Sequence, residues 1–241
     1  KLLKLWENNN QPTLKEIITE AAFAESELDI YKQNAFQRLS VNLRQSDFVS
    51  NRNIDALLFG RQHPYGKYTE ATDIQALNAQ QLRDFHKKYY AASNCRIFVS
   101  GNFEDAVLDA VIDTFGSEQW NESLSHSTGN IPEIEGSEQK LLRIMNDESS
   151  VQGSVRMARM TPQRQDPIFP ELFVMNTVFG GYFGSRLMAN IREDKGYTYG
   201  IYSSILSYQH AGVMMIGTEA GKDVCEATIL EIKKEMKLMQ E

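Results

Sequence analysis

The sequence predicts an α+β fold: an antiparallel sheet with helices packed on one face, after a mostly helical N-terminal part. Two observations carry this. Through residues 1–60 apolar side chains recur at helical spacing, with Leu28, Tyr31, Ala35, Leu39 and Leu43 three or four apart. Beyond about residue 150, alternating runs rich in β-branched and aromatic residues take over, at 150–160, 197–206 and 212–218, with helical stretches between and after them. The last two runs are joined near 209–211, a connection short enough to make them antiparallel neighbours.

Taken in order, Thr13 and Glu16 fit a capping box at the start of the first long helix. Ile54, Leu57 and Leu58 mark a further short helix, closed by Gly60, and His63-Pro64-Tyr65-Gly66 reads as a turn. Asn78 and Gln81 fit a second capping box, ahead of a helix whose buried stripe is Leu82, Phe85 and Tyr89. Cys95 to Gly101 reads as a strand, and a helix from about Glu104 to Phe115 stops at Gly116. Residues 121–138, rich in Ser, Glu, Asn and Gly, show no apolar period and read as a linker between 1–120 and 139–241. Strands are predicted near 139–146 and 150–160, then a helix with Pro170 in its first turn and Leu172, Met175 and Phe179 inside. Gly180-Gly181 reads as the punctuation of that helix. Ser185 stands at the N-cap of the next helix, Leu187 and Ile191 form its buried stripe, and Gly196 closes it in the left-handed conformation. In the strand that follows, Tyr197, Tyr199, Ile201, Ser203 and Ile205 share one face by alternation. A last helix from about Asp223 buries Cys225, Ile229, Ile232, Met236 and Met239.

Composition excludes several classes of function. The net charge is −7, and no block of Lys or Arg offers a footprint for nucleic acid or an anionic membrane surface. No apolar run approaches the roughly 20 residues of a membrane span. The two cysteines, Cys95 and Cys225, are too few for a disulfide framework. A chain that opens K-L-L-K-L-W, without Met, reads as a fragment. The four histidines are His63, His86, His126 and His210, and none has a second histidine one helical turn away, the spacing that places two imidazoles on one metal. Ser185 lacks the G-x-S-x-G elbow of a nucleophilic serine, and the glycines around 180–184 do not follow a strand as a dinucleotide loop would.

The most informative stretch runs from Phe179 to Tyr208. Arg192 lies at the end of a predicted helix and Tyr199 early in the next strand, so a tight turn between them brings guanidinium and phenol toward one point. Taken alone, the same residues also suit a solvated arginine and a sheet-filling tyrosine. The string R-E-D-K-G-Y-T-Y, however, resembles the R-E-x-x-G-x-x-Y signature of the pitrilysin/insulinase zinc peptidases, the inverzincins. H-P-Y-G at 63–66, F-H-K-K-Y-Y at 85–90, I-F-V-S-G-N-F at 97–103 and the Gly180-Gly181 and Ser185-Arg186-Leu187 pairings extend the likeness over most of the chain.

The resemblance implies metallohydrolase-like units of the processing-peptidase type. Residues 1–120 would be the C-terminal part of a first unit, and 139–241 the N-terminal part of a second. It implies that Arg192 and Tyr199 bind substrate and stabilise the transition state. Zinc would sit on an H-x-x-E-H helix in a complementary catalytic domain or subunit, and the substrate would be a peptide. No catalytic or metal-binding residue is expected in this chain alone. The family's third zinc ligand, a Glu on a later helix with another Glu seven residues before it, would put those positions near Ser40 and Gln33, where the neighbours Lys32, Asn34, Leu39 and Val41 supply no carboxylate. The alternative is a non-enzymatic scaffold subunit derived from such a peptidase, like the core subunits of the cytochrome bc1 complex. The intact Arg–Tyr pair favours the working peptidase, because a scaffold has no use for it. The purified chain is expected to hold no stoichiometric zinc after metal-free dialysis. Elemental analysis checks this, and about one zinc per chain, lost on mutating any of the four histidines, would contradict it.

Overall fold

The computed structural model describes residues 11–116, 120 and 132–241. The helices are α1 (Gln11–Thr19), α2 (Glu25–Asn42), α3 (Ser46–Phe59), α4 (Ala71–Ala76), α5 (Ala79–Tyr89), α6 (Asp105–Phe115), α7 (Phe169–Asn176) and α8 (Cys225–Leu238). Two wider, π-helical segments follow α7, Thr177–Gly181 and Met188–Asp194. The strands are β1 (Gln152–Thr161), β2 (Thr198–Ser207) and β3 (Gly212–Gly221). By contact the chain forms two compact units, Lys1–Phe36 with Glu70–Asn130, and Gln37–Thr69 with Ile131–Glu241. Of the predicted linker, 121–131 lies outside the described residues and 132–138 has neither helix nor strand. Among the described residues no helix is long and apolar enough to cross a membrane.

In the first unit, α5 opens on the predicted box. Asn78 Oδ1 accepts from the Gln81 N–H at 2.9 Å, and Gln81 Oε1 accepts from the Asn78 N–H at 3.0 Å. Thr13, by contrast, lies inside α1 rather than at its cap. The buried stripe of α5 also differs from the prediction. Phe85 is 56% exposed and Tyr89 is also exposed, while Ala79, Leu82 and His86 turn inward. Both stripes contain Leu82 at helical spacing. His86 selects between them, because its Nε2 lies 2.7 Å from the Ile18 carbonyl and its ring meets Phe23 edge-on. Cys95 to Gly101 forms no strand, and Phe98 is 90% exposed. Strand propensity is a preference for a pleated, paired surface, and this segment has no ladder partner among the described residues.

In the second unit the strand order is β1-β3-β2, antiparallel throughout. The predicted strand at 139–146 is irregular, for the same want of a partner. One face of the sheet carries Val155, Ile201, Met214 and Ile216. It packs on Phe179, Leu187, Met188, Ile191 and Ile232 from the two π segments, the turn that opens the second of them, and α8. The fold is thus α+β, with the main helical layer on one face. On the other face α3 runs along β1. Ser50 Oγ is 2.6 Å from Ser154 Oγ, and Arg156 donates to Asn51 Oδ1 and to Glu219 Oε1, both at 2.7 Å. The H-P-Y-G turn belongs to this face. Buried His63 accepts the Tyr65 N–H on Nδ1 at 3.1 Å and packs against Phe59 and Tyr65, on both of which Tyr208 packs in turn.

Close approach governs the helical layer. Gly180 is buried, and a Cβ there would stand 2.6 Å from Ser203 Cβ and 2.9 Å from Leu187 Cδ1. The helical segment ends at Gly181, as the sequence predicts, and Gly180 in addition lets it lie against β2; beside it, Asn176 Nδ2 donates to the Ser203 carbonyl at 3.0 Å. Ser185 opens the next helix through its carbonyl, which accepts the Ala189 N–H at 2.9 Å. Its hydroxyl caps nothing. It is buried and makes no hydrogen bond among the described residues, so the predicted side-chain cap is absent. Arg186 Nε donates to Glu235 Oε2 at 2.9 Å, and Asn190 donates to Glu235 and Glu231, tying this helix to α8. The Asn190 bond also holds the Glu231 carboxyl below its ordinary range.

Two glycines make a contrasting test. Gly180→Ala is expected to cost about 1–3 kcal/mol by overpacking. Gly196 has φ +65°, and a Cβ added there would meet no atom within 4 Å. Its mutation to Ala would therefore carry only a backbone penalty of roughly 1–2 kcal/mol. Urea unfolding of each variant reads the difference, and an unperturbed Gly180→Ala protein would contradict the packing reason given for that glycine.

Candidate functional site

Arg192 and Tyr199 meet where the π-helical segment ends and β2 begins. The widened helix is visible in its bonds, since the Lys195 N–H reaches the Asn190 carbonyl, five residues back, at 3.0 Å. Gly196 then takes φ +65° and donates to the Arg192 carbonyl at 3.1 Å, the closing motif predicted for it. The Tyr197 N–H bonds the Ile191 carbonyl at 3.0 Å and fixes where the strand starts.

The guanidinium meets the main chain of Tyr199, not its phenol. Arg192 Nε donates to the Tyr199 carbonyl at 3.0 Å. Arg192 Cζ lies 4.6 Å from the centre of the Phe183 ring, and Nη1 is 3.7 Å from Glu193 Oε1. The arginine side chain is 34% exposed. Tyr199 is 91% exposed. Sequence alone does not single out Phe183, which is one aromatic in a glycine-flanked pair. Its part is to shelve the guanidinium by a cation–π contact.

The outward aim of Tyr199 has a specific cause. Thr198 pairs with Ala220 and Ile201 pairs with Thr218, so Tyr199 and Gly200 together stand opposite Glu219 alone. This is a β-bulge, two residues against one. It inverts the alternation upstream of Gly200. Without it Tyr199 would share the core face with Ile201 and Ser203, the face that plain alternation predicts. With it Tyr199 points away from the core, as Tyr202 does, and Thr198 turns inward to bond Thr218 at 2.8 Å.

Among the described residues other chemistries find no site. Burial pushes the Cys225 thiol up, so it is a poor nucleophile. Burial, with Asp55 nearby, likewise raises Tyr208. Among the described residues no group of three or more His, Cys, Asp or Glu side chains could hold a metal. His63 Nδ1 already accepts a backbone N–H, and His86 Nε2 faces a carbonyl, which requires a proton on that nitrogen. His126 lies outside the described residues. The described residues do not fit zinc.

Comparison with known proteins identifies the family. The model of the family described as peptidase M16 inactive domain matches residues 76–241. An uncharacterized zinc protease of Bacillus subtilis, YmxG, is 26% identical over 244 residues, covering 98% of this chain and 58% of that protein. The chain therefore spans little more than half the length of that relative. The crystal structure of a peptidase M16 inactive domain from Pseudomonas fluorescens superposes with TM-score 0.79 at 23% identity, over 96% of this chain and 55% of that one. Pitrilysin shares the fold at TM-score 0.55 and 14% identity, over 94% of this chain and 25% of that one. With the family model spanning well over half of its residues, the chain belongs to the peptidase M16 inactive-domain family, in the company of zinc proteases and pitrilysin that the Arg–Glu and Gly-x-x-Tyr string implied.

Proposed function

We propose that this chain is the substrate-binding, zinc-free part of a pitrilysin/insulinase-like metalloendopeptidase. In this reading 1–120 closes one peptidase-like unit and 139–241 opens the next. The partner is an H-x-x-E-H domain or subunit, which holds the zinc, the attacking water and its Glu base. The substrate is a peptide bound between the two. Arg192 and Tyr199 act as donors from this side. The observation that carries the reading is the exposed Tyr199 phenol on a bulge whose carbonyl is held by Arg192. A surface tyrosine with no task needs neither a bulge nor a guanidinium on its main chain.

The chemistry follows from geometry. A phenol O–H is a neutral donor on a rigid ring, suited to an oxygen on which charge develops as a tetrahedral intermediate forms. Arg192 spends Nε on Tyr199; its Nη groups, of which Nη1 lies 3.7 Å from Glu193 Oε1, are the donors proposed for the substrate backbone. Donors aimed at charge that exists only in the intermediate lower the barrier and hardly alter ground-state binding.

In the intact peptidase, Tyr199→Phe is therefore expected to lower kcat by about a hundredfold with little change in KM. Arg192→Ala should lower kcat and raise KM, since it frees the Tyr199 carbonyl and also removes a substrate contact. The double variant should lose less than the product of the single losses, because both groups address one region. Steady-state kinetics on an internally quenched peptide checks all three. A stably folded Tyr199→Phe enzyme with wild-type kinetics would end the proposal that this pair takes part in catalysis.

A further inference from the structure

We infer that Thr198 and Thr218 are positioning residues for Tyr199, acting through the bulge and not by touching substrate; the inference rests on the role proposed for Tyr199. A bulge takes main-chain groups out of the ladder, and here four such groups are met individually. The Tyr199 carbonyl accepts from Arg192 Nε at 3.0 Å. The Gly200 N–H donates to Thr198 Oγ1 at 3.1 Å. The Gly200 carbonyl lies 2.9 Å from Thr218 Oγ1 and 3.0 Å from Thr198 Oγ1. The Ile201 N–H points at Met188 Sδ at 3.4 Å. The peptide units on either side of Gly200 are thereby gripped by two hydroxyls from one side and a thioether from the other.

The two threonines work as one device. The Thr198 hydroxyl has one proton, and its shortest contact is the Glu219 carbonyl at 2.6 Å. With that proton on Glu219, Thr198 Oγ1 accepts from the Gly200 N–H, and the Gly200 carbonyl depends on Thr218. The Thr218 proton is in reach of both that carbonyl and Thr198 Oγ1, the latter at 2.8 Å. Thr218 is buried, and it sits on the central strand β3, opposite Ile201. The central strand of the sheet therefore dictates the path of the edge strand at the residue next to Tyr199. A valine at 218 keeps the shape and volume and removes this donor. Thr198 must then serve two carbonyls with one proton. The bulge can relax toward plain alternation, which would turn Tyr199 toward the core side.

The test compares Thr218→Val, Thr218→Ser, Tyr199→Phe and the Thr218→Val/Tyr199→Phe double variant in the full-length peptidase with its zinc-bearing half. The probe is an internally quenched decapeptide that the wild-type enzyme cleaves. Expected for folded Thr218→Val is a fall in kcat of about tenfold to a hundredfold, with KM within about threefold, since small misplacement of a catalytic group acts on rate. Thr218→Ser, which keeps the hydroxyl, restores most of kcat. The double variant is no slower than Tyr199→Phe, because a positioning residue has nothing left to position. Should Thr218→Val not fold, Thr198→Val at the half-buried edge reads the same device and carries the same expectation. If the valine variants lose thermal stability but keep wild-type kcat while Tyr199→Phe is impaired, the threonines are structural only and the inference is overturned. An additive double variant overturns it as well. Wild-type kinetics in Tyr199→Phe removes the parent reading instead, which keeps the two failures distinguishable.

Discussion

One extra residue in an edge strand sets the chemistry this chain can present. Strands alternate strictly, so a tyrosine two residues before a fully buried isoleucine is committed to the core unless something breaks the count. The bulge at Tyr199 and Gly200 breaks it. Removing main-chain groups from a ladder is expensive when they stay unpaired, at about 1–3 kcal/mol for each buried group. Here Arg192, Thr198, Thr218 and Met188 supply the missing partners. The same bonds that satisfy the backbone aim the phenol, so the local energetics and the proposed function have a single cause. Arg192 is both a structural clamp and a candidate substrate contact, and its two tasks use different nitrogens.

That arrangement depends in turn on how the helical layer reaches the sheet. Arg192 arrives at the right height only because its helix lies close to β2 and is held to α8. The segment before it, Thr177–Gly181, needs Gly180, where even one methyl group would collide with Ser203 and with Leu187 at the start of the Arg192 helix. The lateral hold comes from Arg186 and Asn190 on Glu235, whose side chain is only 9% exposed. Such a carboxylate is costly unless it is paired and hydrogen-bonded, so the contact fixes orientation more than it adds stability. The widened, π-helical turn that ends in Arg192 fits the same pattern, since π bonding often marks positions where a side chain has to be re-aimed.

Much of this is legible in the sequence wherever the signal is local. The Asn78–Gln81 box, Pro170 in a first turn, the left-handed Gly196 and the β2–β3 hairpin depend on neighbours within a few residues, and all four are present in the fold. Strands at 95–101 and 139–146 do not form, because a strand exists only with a partner, which propensity cannot supply. Phe85 and Tyr89 face outward because an equally spaced stripe through His86 wins a hydrogen bond sixty-eight residues away in sequence. Gly180-Gly181 does end a helix as its sequence suggests, but the contact of Gly180 with Ser203 is not legible there. The bulge cannot be counted from β2 alone, because its evidence lies in Thr218 and Glu219 on another strand. Arg192 and Tyr199 emerge from their resemblance to a family signature; periodicity by itself would bury the tyrosine.

The most direct measurement is a structure of the whole peptidase with a phosphinic peptide bound at its zinc centre, since the tetrahedral phosphinate mimics the intermediate of amide hydrolysis. If this chain supplies a transition-state donor, the Tyr199 hydroxyl lies about 2.7–3.1 Å from a phosphinate oxygen. Arg192 then keeps its bond to the Tyr199 carbonyl while an Nη group reaches the peptide backbone. A bound phosphinate with the Tyr199 phenol still in solvent and Arg192 clear of the peptide would contradict the central claim.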